Sequence, residues 1–297
     1  MVDIEKLIDE NYNLEKGELD LRDRELGDEE IKVLAKSSKV KLVTALFLEY
    51  NNIGDAGIQA MMESPHLKNL TVLNLFKNAV TDEGLKLMAG AKNLLNLSEL
   101  ILSDNKISAQ GARSLADSVT LANLVSLWIG DSLGDEGAQV IAESKSLSRL
   151  NQLSLYRNNI GNIGAKALAN SKTLSKLTEL NLNWNYIEAE GVAALAQSEA
   201  MKSLKQLSIT YNPIGNLGAK AIADSPVFKE LVFLDLYETE ISDKGARALA
   251  ESRNLVNLET LILIHNDITE EVQSLIKNSS HLKKLTKVVF RLASSAA

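Results

Sequence analysis

The stretch "LNQLSLYRNNIGNIGAKALANS" occupies residues 150–171. Leu153 and Leu155 stand two apart, which puts both on one face of a strand. Asn158 and Ile160 follow. Then Ala165, Leu168 and Ala169 take i, i+3, i+4 spacing, one face of a helix. A single strand and a single short helix cannot bury their apolar faces alone. Such a unit is stable only when neighbours stack on it and share a core.

The rest of the chain supplies those neighbours. Pairs of Leu-x-Leu type begin at Leu19, Leu46, Leu73, Leu100, Leu127, Leu153, Leu180, Leu207, Leu234 and Leu261. The step is 27 residues everywhere except from 127 to 153, where it is 26. Val288-Val289-Phe290 lies one further step on. Parallel strands stack about 4.8 Å apart, whereas packed helices need about 8–10 Å. The helix side of such a stack is wider, so strands are expected on its inside.

Each unit reads Leu-x-x-Leu-x-Leu-x-x-Asn-x-Ile, followed by Gly-Ala-x-x-Leu-Ala-x-Ser. Leu177, Leu180, Leu182, Asn185 and Ile187 match it, as do Leu204, Leu207, Ile209, Asn212 and Ile214. The pattern resembles the leucine-rich repeat family. The long period and the "GAKALA" segment are similar to its ribonuclease-inhibitor type. Repeats of this kind also occur in nucleotide-binding innate-immune receptors and in effectors of intracellular bacteria. The resemblance implies an α/β leucine-rich repeat solenoid, a horseshoe with parallel strands on the concave face and helices on the convex face. One departure is that the vertebrate inhibitor often carries Cys at the asparagine position, and this chain has none. The expected organisation is a capping helix in 1–17, ten repeats in 18–277, and a cap strand with a flexible tail in 278–297.

Local signals fill in the unit. Asp55, Asp135, Asn162 and Asn216 each follow a Gly just before a helix and are expected to cap it. Ser108, Ser242 and Thr269 can do so one position earlier. The start at Glu188-Ala189-Glu190 lacks a short polar cap and is expected to be the weakest. Ile4, Leu7, Ile8 and Leu14 are expected on the buried side of the N-terminal helix. Asn51, Asn78, Asn105, Asn158, Asn185, Asn212 and Asn266 form a column where strand turns to helix, and each amide can donate and accept. Arg24 and Thr239 occupy that place in two units. In the shortened unit Ser132 does, with Leu133 directly after it. That gap reads either as one tolerated flaw in a long ladder or as a reshaped rim beside Trp128.

Totals exclude several classes. The formal net charge is −7, and binders of nucleic acid need a basic stripe. There is no cysteine, hence no disulfide scaffold and no thiol nucleophile. The first residues lack an apolar signal core, and no apolar run reaches membrane-spanning length. No phosphate-binding glycine loop appears. His66 and His281 lie eight repeats apart in outer turns. His265 lies on the rim near Asp235 and Glu238. No cofactor, metal or catalytic site is expected.

What remains is a surface. With the leucines inward, the residues between and just after them face the concave side: Phe47, Phe76, Ile101, Trp128, Gly130, Tyr156, Tyr237, Ile262 and Ile264, with Phe233 at a flank. Tyr50, Trp184, Tyr211 and His265 come next, at the rim. Nine of the chain's thirteen aromatics fall in these positions, where packing does not demand them, and aromatics are enriched at binding hot spots. The candidate protein-binding residues are Phe47, Tyr50, Phe76, Ile101, Trp128, Tyr156, Trp184, Tyr211 and Tyr237. Glu49, Asp104, Asp131, Glu179, Asp235 and Glu238 interleave with them, implying a protein partner with basic and apolar surface. The expected protein is a monomeric, cytoplasmic, non-enzymatic scaffold, with a bacterial effector delivered without a signal peptide as its best biological setting. The alternative is a GTPase-activating repeat protein. Its relatives use an inserted loop near the first repeats, and the even spacing here leaves no room for one.

Overall fold

The structure, a computed structural model, describes residues 2–291. The expected tail beyond Arg291 lies outside the described residues. The chain divides into two compact units, residues 1–133 with 143–150, and residues 134–142 with 151–297. The division falls at the shortened turn.

In the first unit, helix α1 (Ile4–Asn11) leads into strand β1 (Tyr12–Asn13), which pairs antiparallel with β2 (Glu18–Asp20). From β2 onward all pairing is parallel, through β3 (Ala45–Phe47), β4 (Val72–Asn74), β5 (Glu99–Ile101) and β6 (Ser126–Trp128). The register puts Leu19, Leu46, Leu73, Leu100 and Leu127 side by side. Helices α2 (Asp28–Lys36), α3 (Asp55–Met62), α4 (Asp82–Gly90) and α5 (Ala109–Ala116) pack in sequence order. The second unit repeats the scheme. It has strands β7 (Gln152–Ser154), β8 (Glu179–Asn181), β9 (Gln206–Ser208), β10 (Phe233–Asp235), β11 (Thr260–Ile262) and β12 (Lys287–Val289). Its helices are α6 (Gly134–Glu143), α7 (Asn162–Ala169), α8 (Ala189–Ala196), α9 (Gly215–Asp224), α10 (Asp243–Ala250) and α11 (Glu270–Lys277). The strand leucines and the alanine-rich helix faces are buried together, as the two periodicities require.

Within each unit, three polar ladders tie neighbouring repeats. The first is the asparagine column. Asn105 Oδ1 accepts from Val80 N at 2.9 Å, while its Nδ2 donates to Leu75 and Leu102 carbonyls at 2.9 Å each. Asn185 and Asn212 bond in the same way. At Thr239 the amide is missing, and Ile214 N turns back to the Asn212 carbonyl. Ser132 is exposed and does not take the buried place held by Asn158 in the following unit. The second ladder is serine: Ser64, Ser144, Ser225 and Ser252 each donate to a carbonyl at the end of the preceding helix, Ala35, Ala116, Ala196 and Ala223.

The third ladder corrects the expected capping. Asp55, Asp135, Asn162 and Asn216 do not cap their own helices; each reaches forward to the next. Asp55 Oδ1 accepts from Thr81 N and Gly84 N at 2.9 and 3.1 Å. Asp135 serves Gly161 N and Gly164 N, and Asn216 serves Ser242 N and Gly245 N. Asn162 serves Glu188 N and Gly191 N at 3.0 Å each, so the helix expected to start weakest is capped from outside. Ser108 does accept from its own helix, at Gln110 N. Ser242 and Thr269 do not, and their hydroxyls bond to Asn216 and Asp243 instead. The residue type is readable in sequence but its direction is not, because the N–H groups it serves belong to a neighbouring helix that sequence does not place. The first repeat helix, α2, has no forerunner and uses its own Glu30, which accepts from Gly27 N at 3.1 Å. Where the cap column holds Ala189, the following helix α9 begins instead at Gly215, with φ +58°. Leu14, expected in the N-terminal core, is 72% exposed, because β1 turns the chain away after α1; Ile4 and Ile8 are buried.

Candidate functional site

Three residues past the end of a strand, in the place just before the asparagine column, the backbone turns left-handed in most repeats. Tyr50, Lys77, Asp104, Arg157, Trp184, Tyr211, Glu238 and His265 all have φ between 50° and 58°. Non-glycine residues seldom adopt this conformation. Here the neighbouring strands impose it. The N–H groups of Tyr50, Trp184 and Tyr211 donate to the carbonyls of Phe76, Thr210 and Tyr237 in the next repeat, at 2.8–3.0 Å. The conformation belongs to the repeat, and it has a functional consequence. It turns every side chain of the column out at one edge, spaced by the distance between strands.

Aromatics in that column therefore stack. In the second unit the Trp184 and Tyr211 rings lie 3.9 Å apart with planes 25° from parallel. Tyr211 and Tyr237 follow at 5.0 Å, and Tyr237 and His265 at 4.8 Å. Tyr237 comes from one position earlier in its strand, where it fills in for the non-aromatic Glu238. Its hydroxyl sits 3.0 Å from His265 Nδ1, and Glu238 Oε2 lies 3.4 Å from the same nitrogen. The Tyr237 hydroxyl, with some desolvation and the Glu238 carboxylate, holds the Tyr211 phenol well above its ordinary range. Asp235, below the stack on β10, has its carboxyl pushed up by burial.

The first unit arranges its rings differently. Tyr50 meets Phe76 edge-on at 5.3 Å. Arg22 lies over Phe47 at 5.6 Å, and Lys77 over Tyr50 at 5.1 Å. Arg22 Nε also donates to Asp20 at 2.8 Å, and Arg22 Nη1 lies 3.6 Å from Glu49. Glu49 is only 7% exposed, and burial pushes its carboxyl up. Ile101 is half-buried opposite Trp128 in the β5–β6 register, and Trp128 is 43% exposed. In the second unit, Tyr156 carries Arg157 over its ring at 5.9 Å.

The nine candidate residues are thus distributed, not gathered. Trp184, Tyr211 and Tyr237 form one stack, and Tyr50 and Phe76 form a pair. Phe47 and Tyr156 each face a cation of the chain. The sheet surface is also more covered than alternation alone suggests. Ile264 and Gly130, expected on the open face, are buried. His265 and Glu238 belong to the stack although they were not among the nine. The available signal was register: His265 stands two 27-residue steps beyond Tyr211 in the same column. Among the described residues, no three acidic or histidine side chains converge as a metal group would require. No helix among them is long and apolar enough to cross a membrane.

Comparison with known proteins agrees with the architecture. A family model described as "Leucine Rich repeat" matches residues 41–62, 66–89, 93–116, 148–169, 173–196 and 200–223. The shortened unit lies in the gap between the third and fourth matches. No curated protein matches the chain. Among solved structures, a leucine-rich repeat protein of Leptospira interrogans is similar at 22% identity and TM-score 0.50, covering 87% of this chain and 62% of its own. An internalin of Listeria monocytogenes is similar at 19% identity and TM-score 0.39, covering 94% and 88%. The ectodomain of the Arabidopsis receptor kinase HAESA, solved with a peptide hormone ligand, is similar at 17% identity and TM-score 0.49, covering 92% and 42%. This chain therefore spans less than two thirds of the Leptospira and Arabidopsis chains.

Proposed function

The chain is a leucine-rich repeat protein, and we propose that it is a non-enzymatic scaffold that binds another protein along the open face and edge of its sheet. One observation carries this reading. Trp184 remains 47% exposed while stacked on Tyr211, a ring arrangement that buries little in the fold itself and suits a partner's surface. The acidic residues among the rings favour a partner with basic as well as apolar groups. The ribonuclease-inhibitor type of repeat fits the full α-helix in each 27-residue unit. An effector acting on a host protein is the setting assigned by resemblance. Nothing favours the GTPase-activating alternative: Arg22 is tied to Asp20, and Arg24 Nη2 donates to Asn11 at 3.2 Å.

The test is retention of binding proteins by the immobilised chain. Proteins held by the wild type should be lost with Trp184→Ala and Tyr211→Ala. They should be kept with Lys166→Ala, whose side chain pairs with Glu190 on the helix side. Equal retention by all variants of unchanged circular dichroism rejects the reading.

A further inference from the structure

We propose that the Trp184–Tyr211–Tyr237 stack is a platform for a guanidinium group, and that it takes an arginine side chain of the partner protein. The proposal rests on the protein-binding reading above and specifies the chemistry of what is bound there.

The chain itself shows what such a surface holds. Arg22 lies over the Phe47 ring with Asp20 at 2.8 Å and Glu49 at 3.6 Å: a guanidinium on an aromatic face between two carboxylates. Tyr50 and Tyr156 are likewise covered by Lys77 and Arg157. The stack in the second unit has the same ingredients without the cation. It has flat rings and the carboxylates of Asp235 and Glu238, yet among the described residues no lysine or arginine lies over Trp184, Tyr211 or Tyr237. Glu238 is 46% exposed, so it can still meet a partner's charge.

The charge around the stack points the same way. Glu179 lies on the neighbouring strand β8, and Glu240 and Asp267 lie in the turns just past the column. Against them stand Arg157 at one end and His265 at the other. Guanidinium fits better than ammonium for two reasons. It is planar and stacks on ring faces, and its forked donors can meet a carboxylate while it does so. A cation over an aromatic face is attracted by the ring's quadrupole. Trp184 has one face against Tyr211 and is 47% exposed, so its other face is the one a guanidinium can cover.

The experiment is calorimetric titration of the full chain with an end-capped tetra-arginine peptide at low salt, beside tetra-lysine and octaproline. Tetra-arginine should bind, and tetra-lysine more weakly. Trp184→Leu and Tyr211→Leu keep the net charge and an apolar side chain, and each should weaken tetra-arginine binding about three- to tenfold. Glu238→Gln should weaken it by a similar factor, and Lys166→Ala should not. Circular dichroism of each variant controls for the fold. Undiminished binding by both leucine variants would mean attraction to net charge alone and would overturn the proposal. So would binding of octaproline in place of tetra-arginine. If partner retention depends on Trp184 while tetra-arginine ignores the rings, the guanidinium assignment fails and the protein-binding reading stands. If the rings bind tetra-arginine but no protein is retained through them, the reverse holds.

Discussion

Asp55 and Gly84 are fitted to each other across two repeats. The Asp55 carboxylate accepts the Gly84 N–H at 3.1 Å, and a Cβ on residue 84 would stand 2.4 Å from the same oxygen. α4 is therefore capped from α3 as well as by its own Thr81, whose hydroxyl accepts from Glu83 N at 3.2 Å. Asp55→Ala should destabilise the chain by about 1–2 kcal/mol. The faster amide exchange should appear at residues 81–85, not at the helix that carries the mutation. Faster exchange confined to residues 55–59 would contradict the forward direction of the cap.

Two glycines of α4 should respond oppositely to alanine. Gly84 lies in the first turn of α4 and Gly90 is its last residue, where the change usually stabilises by up to about 1 kcal/mol. At Gly90 nothing lies within 4 Å of where a Cβ would stand, so Gly90→Ala should raise the melting temperature. Gly84→Ala must displace Asp55 and press on Val80, and it should lower it. Thermal melts of the two variants with the same sign of change would refute the fitted pair.

Glu49 gives the fold a pH dependence. Its ordinary value is 4.5, and burial raises it in the folded chain, with Arg22 opposing and Asp20 adding. A raised carboxyl favours the protonated form in the folded state. Its contribution is complete below about pH 4.5 and is lost as pH rises through the raised value. Glu49→Gln removes that loss. The melting temperature of the variant relative to wild type should climb between pH 4.5 and neutrality, and a constant difference would exclude the effect.

The N-terminal segment is proposed to act as a cap. Ile4 and Ile8 are buried, and β1 occupies the edge of β2. Removing residues 1–17 should uncover Leu19, Leu21 and Leu26, which are now fully buried, and the truncated chain should self-associate. A monomer of unchanged melting temperature in sedimentation and melting experiments would show that these residues are dispensable.

The shortened turn is expected to be locally weak. Ser132 is exposed, and Asp131 has φ 142° in place of the 50–58° kept elsewhere in its column. A turn lacking the buried amide loses hydrogen bonding of about 1–3 kcal/mol. Amides at 130–136 should exchange faster than those at 156–163. Equal protection would mean that the turn is compensated.

The repeat was readable because period two and period 3.6 alternate at a fixed step, and leucines at that step have no other way to be buried. The asparagine column was readable too, since a buried turn needs a group that both donates and accepts. Other features depend on the neighbour rather than on the residue. Asp55 looks like a cap for the helix it begins, and only the packed repeat shows that it serves α4. Trp184 and Tyr237 sit at different positions of their strands, and their common stack through Tyr211 follows from ring size at the strand spacing. Ile264 and Gly130 alternate correctly with the leucines, and yet are buried.

The forward caps bear on how such an array can grow. Asp55 holds Gly84 and Asp135 holds Gly164, 29 positions ahead in both cases. Copying a 27-residue segment in tandem from repeats whose cap column holds Asp or Asn restores such a bond, wherever within those repeats the copied segment begins. Among those repeats the ladder is therefore indifferent to the breakpoints of gene duplication, and lengthening the array there leaves no helix newly uncapped. A change of one residue in the step is different, since it shifts the acceptor relative to its donor at a single joint. The first repeat helix, with Glu30 turned back on Gly27, and α9, begun at Gly215, stand outside that ladder.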